Sequence, residues 1–225
     1  LGAFHNNVAH SNGRYGVRIH PAFIPSTDEC GANKGPPVKA VFHDITSYKN
    51  GQKGFIGSEI GHVVLKNSVI LDNGAGGKDS VPTVNSKDNP GNVEFAKVLH
   101  IVPRTPVSNE ATLMEEMAGL EDVLIVARSE MGNVGTAGRF DFTGSTKGIL
   151  TQGGNVGGPM KVKDVTMIGY GADAENFYAL ESCAKCFDYQ GGFHTLFSGL
   201  KFPDIDFVHG GKLRMTTWAW AHAGA

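Results

Sequence analysis

A chain of 225 residues with 40% hydrophobic content can bury a substantial core, which excludes a disordered polypeptide. The net charge of −2 comes without any basic run, so the electrostatic footprint of a nucleic-acid binder is missing. The 31 glycines follow no Gly-X-Y period, which sets collagen aside and leaves glycine as a turn residue. No stretch approaches the roughly 18 consecutive apolar residues of a membrane-spanning helix, and Leu1 opens directly onto repeat-like sequence. The chain therefore reads as a piece of a longer protein that makes no membrane insertion of its own.

The first element is a repeat. FHNNVAHSNGRYG at 4–16 aligns without a gap to FHDITSYKNGQKG at 42–54 and to LKNSVILDNGAGG at 65–77. Each copy carries Asn-Gly at the same place (Asn12-Gly13, Asn50-Gly51, Asn73-Gly74), Asn or Asp at its third position (Asn6, Asp44, Asn67) and a closing glycine (Gly16, Gly54, Gly77). Self-similarity of this kind is the mark of stacked coils. The second and third Asn-Gly pairs lie 73 − 50 = 23 residues apart, one coil of a right-handed parallel β-helix, whereas the first and second lie 50 − 12 = 38 apart. The surplus of 15 residues falls at 19–37, where four prolines mark a loop inserted into the solenoid. Alternation around Val8, His10, Tyr15, Val17 and Ile19 reads as strand, and so do 63–65 and 69–71. Stacking then sets Asn12, Asn50 and Asn73 above one another about 4.8 Å apart, where their amides can form a structural ladder. Asn also tolerates the left-handed backbone that a coil corner needs, with glycine after it.

Farther along, 75–90 reads as a second loop insertion, and 93–102 and 123–127 as strands. Between them, 108–119 has an N-cap, acidic residues and a closing glycine, the pattern of one short helix. Strands resume at 160–168, 178–180, 194–202 and 212–217. The whole, 1–225, is predicted as one all-β parallel β-helix region with long loop insertions and at most a short helix.

Candidate chemistry is sparse. Asp204 and Asp206 in FPDIDF have the i, i+2 spacing that would put both carboxylates on one side of a strand, the most site-like carboxylate pair in the chain, although a solvated strand face or a turn capped by Asp is the commoner origin of such a pair and no third partner completes a site. Asp44 and Asp72 fall at coil corners, where they read as hydrogen-bonded turn residues. His5 and His43 occupy equivalent repeat positions, yet no further ligand completes a metal set, and no cofactor is implied. His10 and Tyr48 are likewise equivalent and read as a packing column. Trp218 and Trp220 in the tail put two rings on one side of a strand, a shape suited to the apolar face of a sugar or to closing the end of the solenoid. Cys183 and Cys186 form a C-x-x-C without the other ligands of a zinc site, while Cys30 stands in the proline-rich loop. Disulfides are favoured, with Cys30 pairing either to one of these two or to a residue outside the chain.

The succession KGILTQ (147–152), VKDVTMIGY (162–170), ALESCAKC (179–186) and QGGFHTLFSGLKF (190–202), together with NNVAHSNGRYGVRI (6–19), resembles the extracellular β-helix region of fibrocystin, fibrocystin-like protein and the related cell-surface and secreted hyaluronidases. The resemblance implies an extracellular or cell-surface location and a large parent protein. The expected function is a non-catalytic structural or adhesive scaffold, with further coils of the same polypeptide or neighbouring subunits as partners and extracellular glycans as a contact. Two alternatives follow: a glycosaminoglycan-depolymerising enzyme of the hyaluronan type, and a receptor ectodomain segment using the 19–37 loop.

Overall fold

The computed structural model describes residues 4–27, 37–74, 91–95, 98, 117–127, 129, 146–151, 160–171, 177–182, 195–209, 211–212 and 215–217. Its strands come in sets of three. Coil 1 holds β1 (Phe4–His5), β2 (Val8–His10) and β3 (Tyr15–Ile19), and coil 2 holds β4 (Ala40–His43), β5 (Thr46–Tyr48) and β6 (Lys53–Gly57). Coil 3 follows with β7 (Val63–Lys66), β8 (Val69–Leu71) and β9 (Gly91–Phe95), and coil 4 with β10 (Ala118–Glu121), β11 (Leu124–Val126) and β12 (Thr146–Thr151). Coil 5 contributes β13 (Met160–Lys163), β14 (Thr166–Ile168) and β15 (Phe177–Ser182), and coil 6 contributes β16 (Thr195–Ser198) and β17 (Met215–Thr217).

Each sheet collects one strand from every successive coil, the second sheet ending at coil 5. The first sheet runs β1-β4-β7-β10-β13-β16, the second β2-β5-β8-β11-β14 and the third β3-β6-β9-β12-β15-β17, all with parallel pairing. The architecture is thus the all-β parallel β-helix expected from the repeat. Inward side chains stack in columns because the register is kept from coil to coil. Phe42, Leu65, Leu120 and Val162 line up in the first sheet, Ile70, Ile125 and Met167 in the second, and Phe55, Val93, Ile149 and Leu180 in the third. All belong to one buried core, and burial of each such side chain contributes about 1.5–3 kcal/mol.

The corners explain the short polar positions of the repeat. Between the first and second sheets the chain turns through a left-handed residue in every coil: Asn6 (φ 55°), Asp44 (55°), Asn67 (46°), Asp122 (54°), Asp164 (53°) and Gly199 (65°). Asn, Asp and Gly tolerate this conformation, and one such residue lets the next side chain, Ile45, Ser68, Val123 or Val165, turn inward and be buried. The strand predicted over 160–168 is accordingly two strands, β13 and β14, broken at Asp164.

At the second corner the expectation needs correction. The left-handed residue is not the Asn of Asn-Gly but the residue before it: Ser11 (57°), Lys49 (52°) and Asp72 (54°). Bending one position earlier leaves the Asn side chains free to lie along the stack.

The other departures are local. Of the insertion at 19–37, Ile19 closes β3, Phe23 bridges Ile60, which bridges Val98, and Ser26 pairs antiparallel with Pro37. The predicted helix at 108–119 ends within β10, since Ala118–Glu121 is strand and Met117 before it is a buried bend; 108–116, like the insertion at 75–90, lies outside the described residues. The helical pattern drew β10 in because Gly119 looks like a helix stop. In the sheet Gly119 adopts φ +146° and a Cβ there would sit 1.9 Å from the Lys161 carbonyl oxygen. The predicted strand at 194–202 is β16 alone, followed by the Gly199 corner.

Candidate functional site

The most extended polar arrangement among the described residues is a chain of side-chain amides inside the second corner. Asn12 Nδ2 donates to Asn50 Oδ1 (2.9 Å), Asn50 Nδ2 to Asn73 Oδ1 (2.8 Å), Asn73 Nδ2 to Asn92 Oδ1 (3.0 Å), and Asn92 Nδ2 to the Tyr170 hydroxyl (2.9 Å). Backbone groups join the chain as well. Asn73 Nδ2 donates to the Ser47 and Leu71 carbonyls, Asn92 Nδ2 to the Val126 carbonyl, and Asn73 Oδ1 accepts the Asn50 N–H. Asn50, Asn73 and Asn92 are fully buried, where such a network stabilises only if each member is satisfied. The ladder also explains the closing glycine of the repeat. A Cβ on Gly54 would lie 2.5 Å from Asn73 Nδ2, and one on Gly16 would lie 2.7 Å from Asn50 Nδ2. Burial keeps the Tyr170 hydroxyl protonated well above its usual range, against a smaller opposing effect of its bond to Asn92.

Two ion-pair clusters lie on the sheets. Lys53 and Glu94 meet at 2.8 Å with almost no exposure. On the first sheet Glu121 binds Lys66 Nζ at 2.6 Å and Lys161 Nζ at 3.0 Å, and the Lys161 side chain is fully buried. Burial alone would raise the Glu121 carboxyl, but the hydrogen bonds and charges of the two lysines prevail and bring it from an ordinary 4.5 to about 2.

The carboxylates singled out from the sequence are held in turns. Asp204 and Asp206 are not on a strand: Pro203 and Asp204 lie in a turn, and Asp206 precedes a 3-10 turn at Phe207–His209. The proline excludes regular ladder bonding there. Asp204 Oδ2 accepts the Gly169 N–H at 2.7 Å. Asp206 caps the 3-10 turn, accepting the His209 N–H at 3.1 Å and the His209 Nδ1–H at 2.5 Å, and these two bonds lower its pKa. Asp72 is fully buried and accepts the N–H and hydroxyl of Ser129, both at 2.6 Å. Asp44 accepts from His43 Nδ1 at 2.6 Å.

The outer faces of coils 1 and 2 carry stacked rings. His5 and His43 are parallel with centroids 5.0 Å apart, His10 and Tyr48 are parallel at 4.9 Å, and the Arg18 guanidinium lies 5.0 Å over Tyr15. Among the described residues no group of three or more His, Cys, Asp or Glu is arranged to hold a metal ion. Trp218, Trp220, Cys30, Cys183 and Cys186 lie outside the described residues.

Asn92 and Tyr170 escaped the sequence reading because neither sits in an Asn-Gly pair. By register Asn92 occupies in coil 3 the position of Gly16 and Gly54, so its amide enters the ladder from the third sheet. The partners of Glu121 were equally hidden, lying 55 and 40 residues away. In comparisons with protein-family models, curated proteins and solved structures nothing matches this chain, so the resemblance to the fibrocystin and hyaluronidase group rests on the sequence motifs alone.

Proposed function

We propose that this chain is a non-catalytic β-helical scaffold of the extracellular space or cell surface, stacked on further coils of its own polypeptide or on a neighbouring subunit and adhesive through its side faces. The observation that carries this reading is that the carboxylates are already engaged: Asp72 by Ser129, Glu121 by two lysines, Asp204 by Gly169 and Asp206 by His209 within its own turn. An acid/base catalyst needs a pKa near the working pH, whereas the Glu121 carboxyl, held by two lysines, and the Asp206 carboxyl, held by His209, both lie below their ordinary range. The ring pairs of coils 1 and 2 offer flat surfaces for glycan or protein contact.

The experiment has two arms. Sedimentation at increasing protein concentration and retention on immobilised hyaluronan test the scaffold; association or retention is expected, and a strictly monomeric, unretained chain counts against it. Incubation with size-defined hyaluronan tests the enzyme, and no shortening is expected. Shortening that disappears in Asp204→Asn or Asp206→Asn, with the β-sheet spectrum unchanged, would replace the scaffold by a depolymerase.

A further inference from the structure

We infer, resting on the scaffold reading above, that the outer face of the second sheet is the surface on which two copies of this chain pair side by side, their solenoids parallel and related by a two-fold axis along the stack. The strands of this sheet define the face. β5 (TSY), β8 (VIL), β11 (LIV) and β14 (TMI) each bury the middle residue and leave the two flanking ones half-buried on the outside. Because register is kept, the flanking residues stack in two columns, with Val69, Leu124 and Thr166 in one and Leu71, Val126 and Ile168 in the other. None of the four strands contains Asp, Glu, Lys, Arg or His.

The other two sheets differ. The first carries Lys66, Glu121 and Lys161, and the third carries Lys53 and Glu94, charges that pair within their own sheets. The strip on the second sheet is the uncharged one, and its accessibility does not depend on what stands above or below it. A coil added at either end of the stack lengthens the two columns, and the outward side of coils 2 to 5 stays outward. A strip of five coils at about 4.8 Å each, about 17 Å from corner to corner, covers about 400 Å² on each copy. Two copies then bury about 800 Å², below the roughly 1,200 Å² at which stable complexes begin, so this chain pairs weakly and each further coil strengthens the contact.

The two edges of the strip select the partner and its orientation. The corner that enters the sheet presents Asp44 and Asp122, both exposed, and Asp164, half-buried. The corner that leaves it presents Lys49, while Asp72 there is buried against Ser129. One edge is thus acidic and the other carries a cation in the same coil as Asp44. A two-fold axis along the stack lays each copy's entering edge over the partner copy's leaving edge, coil by coil, which brings Asp44 beside the other copy's Lys49 and apolar column onto apolar column. Laid antiparallel, the copies would set the acidic edge against itself, an arrangement that like-charge repulsion suppresses. The same patch serves both copies, as a closed two-fold contact requires.

Sedimentation equilibrium up to about 1 mM, the range of a contact this small, is expected to show a concentration-dependent dimer. Leu124→Lys and Thr166→Lys each place an ammonium group of both copies inside the strip and should weaken pairing at least about tenfold. Both side chains point away from the core, so the β-sheet spectrum should be kept. Asp44→Lys alone should weaken pairing, and Asp44→Lys combined with Lys49→Asp should restore it. Pairing that survives both strip variants, or a double reversal that restores nothing, would overturn the inference and leave the scaffold to associate through another surface. A chain that stays monomeric yet is retained on immobilised hyaluronan, with retention lost in Leu124→Lys, would give the strip to a glycan and also overturn it while the scaffold reading stands. A chain that neither pairs nor is retained removes both.

Discussion

Replacing Asn73 by alanine should be among the most damaging single changes in this molecule. The side chain is fully buried and its amide group takes part in five hydrogen-bond contacts, accepting from the N–H and Nδ2 of Asn50 and donating to Asn92 Oδ1 and the carbonyls of Ser47 and Leu71. Several partners retain a second bond: Asn50 Nδ2 still reaches Ser47 Oγ and the Ala9 carbonyl, and Asn92 Oδ1 still accepts the Asn73 N–H. The Asn50 N–H and the Ser47 carbonyl lose these contacts in a buried site. At about 1–3 kcal/mol for each buried group left unsatisfied, the expected loss is about 4 kcal/mol. With a urea slope of about 2.5 kcal/mol per molar, the unfolding midpoint should fall by about 1.5 M. Asn12→Ala provides the internal control, because the same side chain at the exposed end makes one side-chain bond and should cost under about 1 kcal/mol. Urea unfolding followed by β-sheet circular dichroism reads both. If Asn73→Ala proves no more costly than Asn12→Ala, the ladder does not hold the coils together.

Acid should weaken the stack through Glu121. Its carboxyl is lowered in the fold from 4.5 to about 2, so its contribution is complete above pH 4.5 and is lost as pH falls from there toward 2. At about 1.4 kcal/mol per tenfold change in proton affinity the full effect is about 3 kcal/mol, and solvent around Lys66, 37% exposed, screens it toward about 2 kcal/mol. Glu121→Gln should flatten the acid limb of a stability-against-pH series. Glu94→Gln leaves Lys53 facing a neutral amide in a site of 2–3% exposure, and a loss of about 3 kcal/mol in urea unfolding is expected. Gly51→Ala should be disruptive, because its Cβ would meet the Gly13 carbonyl oxygen at 2.2 Å; thermal unfolding should drop well below that of Gly13→Ala.

The repeat was legible because it encodes geometry that a single coil can specify. A left-handed corner demands Asn, Asp or Gly wherever it falls, so Asn6, Asp44 and Asn67 mark their turns by residue type alone. Asp122 and Asp164 obey the same rule and were readable in Leu-Glu-Asp-Val and Val-Lys-Asp-Val, but their coils lack the Asn-Gly that made the first three copies align. What sequence cannot carry is register across insertions of uneven length. Glu121 finds Lys66 and Lys161 only because β7, β10 and β13 lie side by side. Asn92 joins the ladder only because β9 stands in register with β6 and sets it at a position held elsewhere by glycine. The Asp204 and Asp206 pair left two readings open for the opposite reason: i, i+2 spacing has one meaning on a strand and another beside Pro203 in a turn.

The amide ladder has a direction. From amide to amide, each asparagine donates to the member that follows it in the chain and receives from the one that precedes it, until Tyr170, two coils below Asn92, accepts the last bond through a hydroxyl. The amide dipoles therefore add along the axis instead of cancelling, each bond polarising the next. Reversing either inner amide, Asn50 or Asn73, would set oxygen against oxygen on one side and nitrogen against nitrogen on the other, so the direction belongs to the whole ladder and not to any one rung.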